Sequence, residues 1–388
     1  MTVTKPLGFR AAGIAVGLKT TGKPDLALIV NDGPKPAAAA VYTSNRAKAN
    51  PVLWSQAANT AETVAVVLNS GGANCFTGEF GYQTSKLSAE AVAEALSIDP
   101  LRVQVCSTGL IGAGGQDFRD RIVNGIPELV SRLGDNSADA AAAILTTDTV
   151  TKTASYESED GWRIGAIAKG AGMLAPGLAT MLVVITTDAV VDAASLDSAV
   201  REATEKTLNR LDSDGCMSTN DQVTLLASGA AEVTPDLAEF NAALVTVCDS
   251  LAKQLQADAE GASHQINIEV TGAKSEADAV TVGRTLARNN LFKTAIFGND
   301  PNWGRVLAAI GTTDADFDPY AVAVSFNGVR LCNQGGPDRP VTECDLTPAV
   351  TEVLIELNAA DPENAHSAVI RTNDLTVAYV HENSAYSS

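Results

Sequence analysis

The chain has 388 residues, enough for a substantial hydrophobic core and for two or three lobes. Its 27 basic and 46 acidic residues leave a formal charge of −19. A surface that tracks phosphates or an anionic membrane is disfavoured at that charge, so neither nucleic acid nor membrane is an expected partner.

The opening MTVTKPLGFR lacks the basic start and apolar run of a secretory signal, and the cytoplasm is the expected location. The first part of the chain then alternates β-rich runs (ALIVND, AAVYTS, TVAVVLNS, RVQVCSTG) with Ala-rich helical stretches such as SKLSAEAVAEAL, the pattern of a mixed α/β protein. DNSADAAAAILTTDTV reads as a helix capped by the side-chain oxygen of Asn136 or Ser137, running into a TTDT turn or strand start. Helical periodicity returns in SLDSAVREATEKTLNRL, from Leu196 to Leu211, and near Leu237 to Gln256. INIEVTG is the next strand, AVTVGRTLARNN a helix and GNDPNWGR a turn. YAVAVSFNGVRL and LTVAYVHENS are expected as late strands.

One stretch, KGAGMLAPGLATMLVVITTDA (Lys169 to Ala189), stands apart: it is glycine-rich at its front and β-branched at its back. Its uncharged window of about 18 residues is near the lower limit for a membrane span, but Pro176 and the glycines interrupt it. MLVVITT reads instead as a fully buried strand behind a loop. At the boundary stands Thr180, preceded by the small Ala179. Attack of its hydroxyl on the Ala179 carbonyl would convert amide to ester, and hydrolysis would leave Thr180 as a new N-terminus. An α-amine with an ordinary pKa of about 7.7–8.0 serves as base for its own hydroxyl near neutral pH. The residues alone leave both readings open, a plain strand start and a cleavage site.

KGAGMLAPGLATML, CSTGLIG, TTDT, DAEGASH, HENSAYSS, NSGGANCFTG and GNDPNWGR together resemble the ornithine acetyltransferase family, the glutamate N-acetyltransferases of the cyclic arginine pathway, across essentially the whole chain. The resemblance implies layered mixed sheets flanked by helices, an αββα arrangement of the N-terminal-nucleophile type. It implies self-cleavage between Ala179 and Thr180 into an α chain, 1–179, and a β chain, 180–388, intertwined in the catalytic lobe, with roughly 280–388 adding a C-terminal lobe. Thr180 becomes the nucleophile, Thr108 and Gly109 the oxyanion hole, and Thr146, Lys169, Thr180, Glu260, Asn383 and Ser388 the substrate contacts. The implied reaction moves acetyl from N2-acetyl-L-ornithine to L-glutamate through acetyl-Thr180, with no cofactor and an α2β2 assembly; whether acetyl-CoA is a further co-substrate the sequence leaves open. Two segments depart from the family pattern: NSGGANCFTG where NSGNANACTG is usual, and SDGCMSTND where DGDTSTND is usual. Gly72, Phe76, Cys216 and Met217 are thus local variations.

No metal site is expected from the residue types. The histidines His264, His366 and His381 lack i, i+4 spacing, and the six cysteines, Cys75, Cys106, Cys216, Cys248, Cys332 and Cys344, contain no Cys-x-x-Cys. Two rival functions share the same features: a self-processing N-terminal-Thr amidohydrolase or aminopeptidase, and an uncut amino-acid-binding protein.

Overall fold

The computed structural model describes residues 2–175 and 181–385. The first strands are β1 (Phe9–Ile14), β2 (Leu26–Asn31), β3 (Ala37–Tyr42), β4 (Ala65–Ser70) and β5 (Val103–Thr108), with helices α1 (Asn50–Ala57), α2 (Gly78–Leu96), α3 (Gln116–Ser131) and α4 (Ser137–Ala143) among and after them. There follow β6 (Lys152–Glu157), β7 (Arg163–Lys169), β8 (Leu182–Thr187), α5 (Ala193–Lys206), β9 (Gln222–Ala227) and α6 (Leu237–Ala257). The last part holds β10 (Gln265–Ala273), α7 (Glu276–Ala287), α8 (Asn290–Phe297), α9 (Trp303–Ile310), β11 (Ala323–Phe326), β12 (Val329–Asn333), β13 (Gly336–Pro337), β14 (Val350–Glu356), β15 (His366–Asn373) and α10 (Val377–Ala385).

The strands form three sheets, ordered β1-β2-β4-β5, β3-β9-β8-β7-β6 and β13-β12-β11-β14-β10-β15. The first two pack face to face. Side chains alternate across a strand, so in β8 Leu182 and Val184 enter the core between the sheets, with Ile29, Leu68 and Leu226. Val183 and Ile185 enter the opposite core, under Leu196 of α5 and Leu244 of α6. Both faces of β8 are dry, which is why MLVVITT is apolar without alternation; each such side chain contributes about 1.5–3 kcal/mol by its burial. The outer face of the first sheet is covered by α1, α2 and α3 through Trp54, Val92 and Ile126. The layering is therefore αββα, with α4 filling the seam between the sheets through Ala140, Ala141 and Ala143.

The third sheet has its own core with α7, α8 and α9. YAVAVSFNGVRL, expected as a late strand, is a hairpin of β11 and β12, turning on Asn327 (φ 45) and Gly328 (φ 80), the pair of positive φ values that a two-residue Asn-Gly turn requires. Ion pairs tie this lobe to the sandwich: Arg288–Asp212 at 2.7 Å and Arg371–Asp249 at 2.6 Å.

Three local expectations are corrected. LTVAYVHENS is not a strand: from Val377 it is α10. The Thr376 hydroxyl accepts the Tyr379 N–H at 2.9 Å, an N-cap that starts a helix despite the β-prone TVAYV. The start of α4 carries no side-chain cap, because the Ser137 hydroxyl accepts the N–H groups of Thr2 and Thr4, and Asn136 donates back to the Arg132 carbonyl. In GNDPNWGR only the first half is a turn; Asn302 accepts the Arg305 N–H at 3.1 Å and caps α9 from Trp303 onward.

Candidate active site

Pairing registers bring five strand ends to one place. β4 and β5 run parallel and finish together at Ser70 and Thr108. In the second sheet β7 ends at Lys169 opposite Leu182 of β8, and β8 starts beside Gln222 of the parallel β9. The backbone on this rim is irregular, and a small cleft of about 180 Å³ opens there. Six predicted residues line it: Thr108, Gly109, Thr146, Lys169, Glu260 and Asn383. Ala179, Thr180 and Ser388 lie outside the described residues.

Lys169 is the electrostatic centre. It is 1% exposed, and its ammonium donates to the Thr146 hydroxyl at 2.8 Å and the Thr108 hydroxyl at 3.3 Å. An ammonium only donates, so both hydroxyls act as acceptors toward it and Thr108 keeps its own O–H to offer. The nearest carboxylate, Asp148, stands 3.8 Å from Nζ, beyond hydrogen-bond range, which leaves a third N–H for a ligand carboxylate. Burial pushes the Lys169 ammonium below its ordinary value, opposed by the charge of Asp148.

Asp148, the acid of TTDT, joins three segments. Its carboxylate accepts the Thr146 N–H at 3.0 Å, the Gly170 N–H at 2.6 Å and the Lys152 ammonium at 2.7 Å. Lys152 is fully buried and also pairs with Asp258 at 2.5 Å. Burial alone would push the Asp148 carboxyl up; the charges of Lys169 and Lys152, with the bonds from Lys152 and the Thr146 N–H, outweigh it and hold the carboxyl below the carboxylate range. A carboxyl whose folded pKa is depressed stabilises the fold above its unfolded pKa, and that contribution is lost as pH falls through the folded value. Asp148→Asn, which leaves two buried lysines short of a counter-charge, is expected to cost about 3–5 kcal/mol at neutral pH. Urea unfolding should show the deficit narrowing below pH 4; a deficit independent of pH would mean that the charge is not what matters.

Gly109 sits at φ +127, and a Cβ there would lie 2.7 Å from the Gly72 nitrogen. Glycine alone lets the chain turn sharply beneath the cleft after Thr108. On the opposite wall the Glu260 N–H bonds the Ala171 carbonyl at 2.9 Å, and Asn383 of α10 donates to the Glu260 carboxylate at 3.2 Å. A Cβ at Gly172 would meet that carboxylate at 2.4 Å, so the second glycine of KGAGM is the space in which Glu260 sits.

Four residues in or behind the wall, of which Asn220 lines the cleft, were not singled out from the sequence. Lys152 and Asp258 complete the buried ion chain. Asn220 donates to the carbonyls of Ala73 at 2.6 Å and Ser107 at 2.9 Å, binding the NSGGANCFTG loop to β5. Asp221, fully buried, accepts the Met181 N–H on Oδ1 at 3.0 Å. STND supplied a signal for the last two; nothing local marks Lys152.

Comparison with known proteins gives this cleft its context. The model of the ArgJ family matches residues 10–388. The chain belongs to the ArgJ family. Among similar ArgJ proteins, the arginine biosynthesis bifunctional protein ArgJ of Streptomyces avermitilis is 55% identical over 390 residues, covering 100% of both chains. Its namesake in Mycobacterium tuberculosis is 49% identical over 398 residues, covering 100% of this chain and 96% of the relative. A solved ornithine acetyltransferase from Mycobacterium tuberculosis, complexed with ornithine, aligns at 47% identity and a TM-score of 0.44, over 45% of this chain and 94% of the solved one.

Proposed function

We propose that this ArgJ-family enzyme of arginine biosynthesis moves acetyl from N2-acetyl-L-ornithine to L-glutamate through an ester on Thr180, after cutting itself between Ala179 and Thr180. Family membership supports the reaction. The observation that carries the route is the Lys169 ammonium held between two threonine hydroxyls opposite the start of β8 at Leu182, two residues after Thr180 in the sequence. In this reading the Thr180 α-amine takes the proton of its own hydroxyl, and Oγ attacks the acetyl carbonyl. The Thr108 O–H and Gly109 N–H meet the oxyanion, whose charge exists only near the transition state. The intermediate collapses with proton transfer to the departing ornithine nitrogen, and the amine of glutamate later attacks the ester.

Lys169 and Thr146 would hold the substrate α-carboxylate. Glu260 would pair with the side-chain ammonium of ornithine. Asn383, now donating to Glu260, is a donor that the γ-carboxylate of glutamate would take, and Ser388 would complete the pocket. Scission at this point leaves one sheet built from both pieces, with β3, β6 and β7 from the first and β8 and β9 from the second. By family resemblance we extend the proposal to acetyl-CoA as an alternative acetyl donor, to an α2β2 assembly and to a cytoplasmic location.

Intact mass spectrometry after brief exposure to acetylornithine tests this reading. One acetyl group is expected on the fragment that begins at Thr180, and glutamate should discharge it. Acetate released at the same rate without glutamate would identify an amidohydrolase instead, and a single uncut chain without adduct would identify a binding protein.

A further inference from the structure

Asp221 is a carboxyl that the transfer chemistry leaves without a task. It is 0% exposed, and while Oδ1 accepts the Met181 N–H at 3.0 Å, Oδ2 has no hydrogen-bond partner among the described residues. Such groups are rare in folded proteins, because leaving a buried acceptor unpaired costs about 1–3 kcal/mol. Burial pushes this carboxyl well above the ordinary range; the Ser218 hydroxyl, the Met181 N–H and the Lys169 ammonium are the neighbours that draw it back toward ionisation. Met181 follows Thr180 directly in the chain, and consecutive Cα atoms lie about 3.8 Å apart. Scission before Thr180 thus creates a new donor, an α-amine, one peptide unit from the nitrogen that Asp221 already holds.

We propose that Asp221 is a positioning residue for the Thr180 α-amine: Oδ1 fixes the Thr180–Met181 peptide, and Oδ2 accepts an N–H of the amine once cleavage has freed it. The inference rests on the reading of Thr180 as acyl carrier. During attack the Oγ–H bond breaks, an N–H bond forms and the amine becomes an ammonium, while Oγ bonds the acetyl carbon. A carboxylate beside that ammonium offsets the charge, as the buried aspartate of a Ser-His-Asp triad does for its imidazolium. The same hydrogen bond turns the amine lone pair toward Oγ. In the uncut chain there is no free amine before Met181, and Oδ2 has no partner among the described residues.

The test is Asp221→Asn, which keeps the size and an acceptor for the Met181 N–H but carries no charge. In self-cleaved enzyme kcat is expected to fall by about 10-fold or more, with KM for acetylornithine little changed. The acid limb of the kcat profile reports proton loss from the amine. It should move to lower pH, because the carboxylate that favoured the ammonium is gone. Cleaved D221N enzyme with kcat within about threefold of the parent, or with an unmoved acid limb, overturns the proposal. If D221N blocks self-cleavage, the thermal midpoints of T180A and of T180A/D221N decide. A double variant as stable as T180A or more so supports the proposal, since the uncut chain has no amine for the charge to serve, whereas a lower midpoint makes Asp221 a fold residue and overturns it. Failure of the Thr180 reading looks different: no acetyl adduct forms, or T180A itself turns over.

Discussion

Thr180→Ala is expected to migrate as one 40.0 kDa polypeptide on a denaturing gel and to lose at least about 10⁴-fold in kcat. Two losses coincide. Without the hydroxyl there is nothing to attack the Ala179 carbonyl, so no α-amine is released; and without the same hydroxyl there is no atom to carry the acetyl group. Nucleophile and base come from one residue, so no second side chain is left to sustain a slower version of the same route. Thr180→Ser separates the two requirements. Serine keeps the oxygen but not the β-branch that restricts χ1, so it should cut and turn over, more slowly in both. Intact mass and initial rates measured on the same preparations check the pair. Uncut T180A with near-parental turnover would refute covalent catalysis at this position.

Thr108→Val is expected to lower kcat by about 10²–10³-fold, equivalent to about 3–4 kcal/mol, with a much smaller change in KM. The reason lies in the bonding at Lys169: its ammonium already donates to the Thr108 oxygen at 3.3 Å, so the hydroxyl proton points elsewhere, and the cleft is where an acceptor would arrive. A donor aimed at charge that develops only in the transition state changes kcat more than binding. Valine preserves the shape of the residue and its β-branch. Thr108→Ser restores the O–H and should recover most of the rate. Were T108V enzyme to show a raised KM at unchanged kcat, Thr108 would be a substrate contact and the oxyanion would have to be met elsewhere. Gly109→Ala is a poorer probe, because the added Cβ at 2.7 Å from the Gly72 nitrogen would rebuild the turn itself.

Much of the cleft's lining was legible in the residues. The glycine-rich front and β-branched back of the 169–189 stretch located a strand start with a threonine on its threshold, and the structure shows why the back is apolar on both sides: β8 lies between two cores. The Ala-rich helices were equally readable, since helical period acts over a few residues. Local signals misled where another hydrogen bond outbid them. Ser137 looked like a helix cap and instead serves Thr2 and Thr4, and TVAYV looked like a strand until Thr376 turned it into α10, from which Asn383 reaches Glu260.

The sequence by itself determined the family and the layered α/β class, and named the residues proposed to react, because these are written in contiguous motifs. Only the tertiary structure decided which charges are dry and whom they meet. Lys152 and Asp258, 106 residues apart, become a buried pair, and Asp221 becomes a buried carboxyl with one oxygen unclaimed among the described residues. Burial and pairing of charges are long-range properties: whether a lysine on a strand faces water or two carboxylates depends on which sheet covers it, and no window of neighbouring residues contains that information.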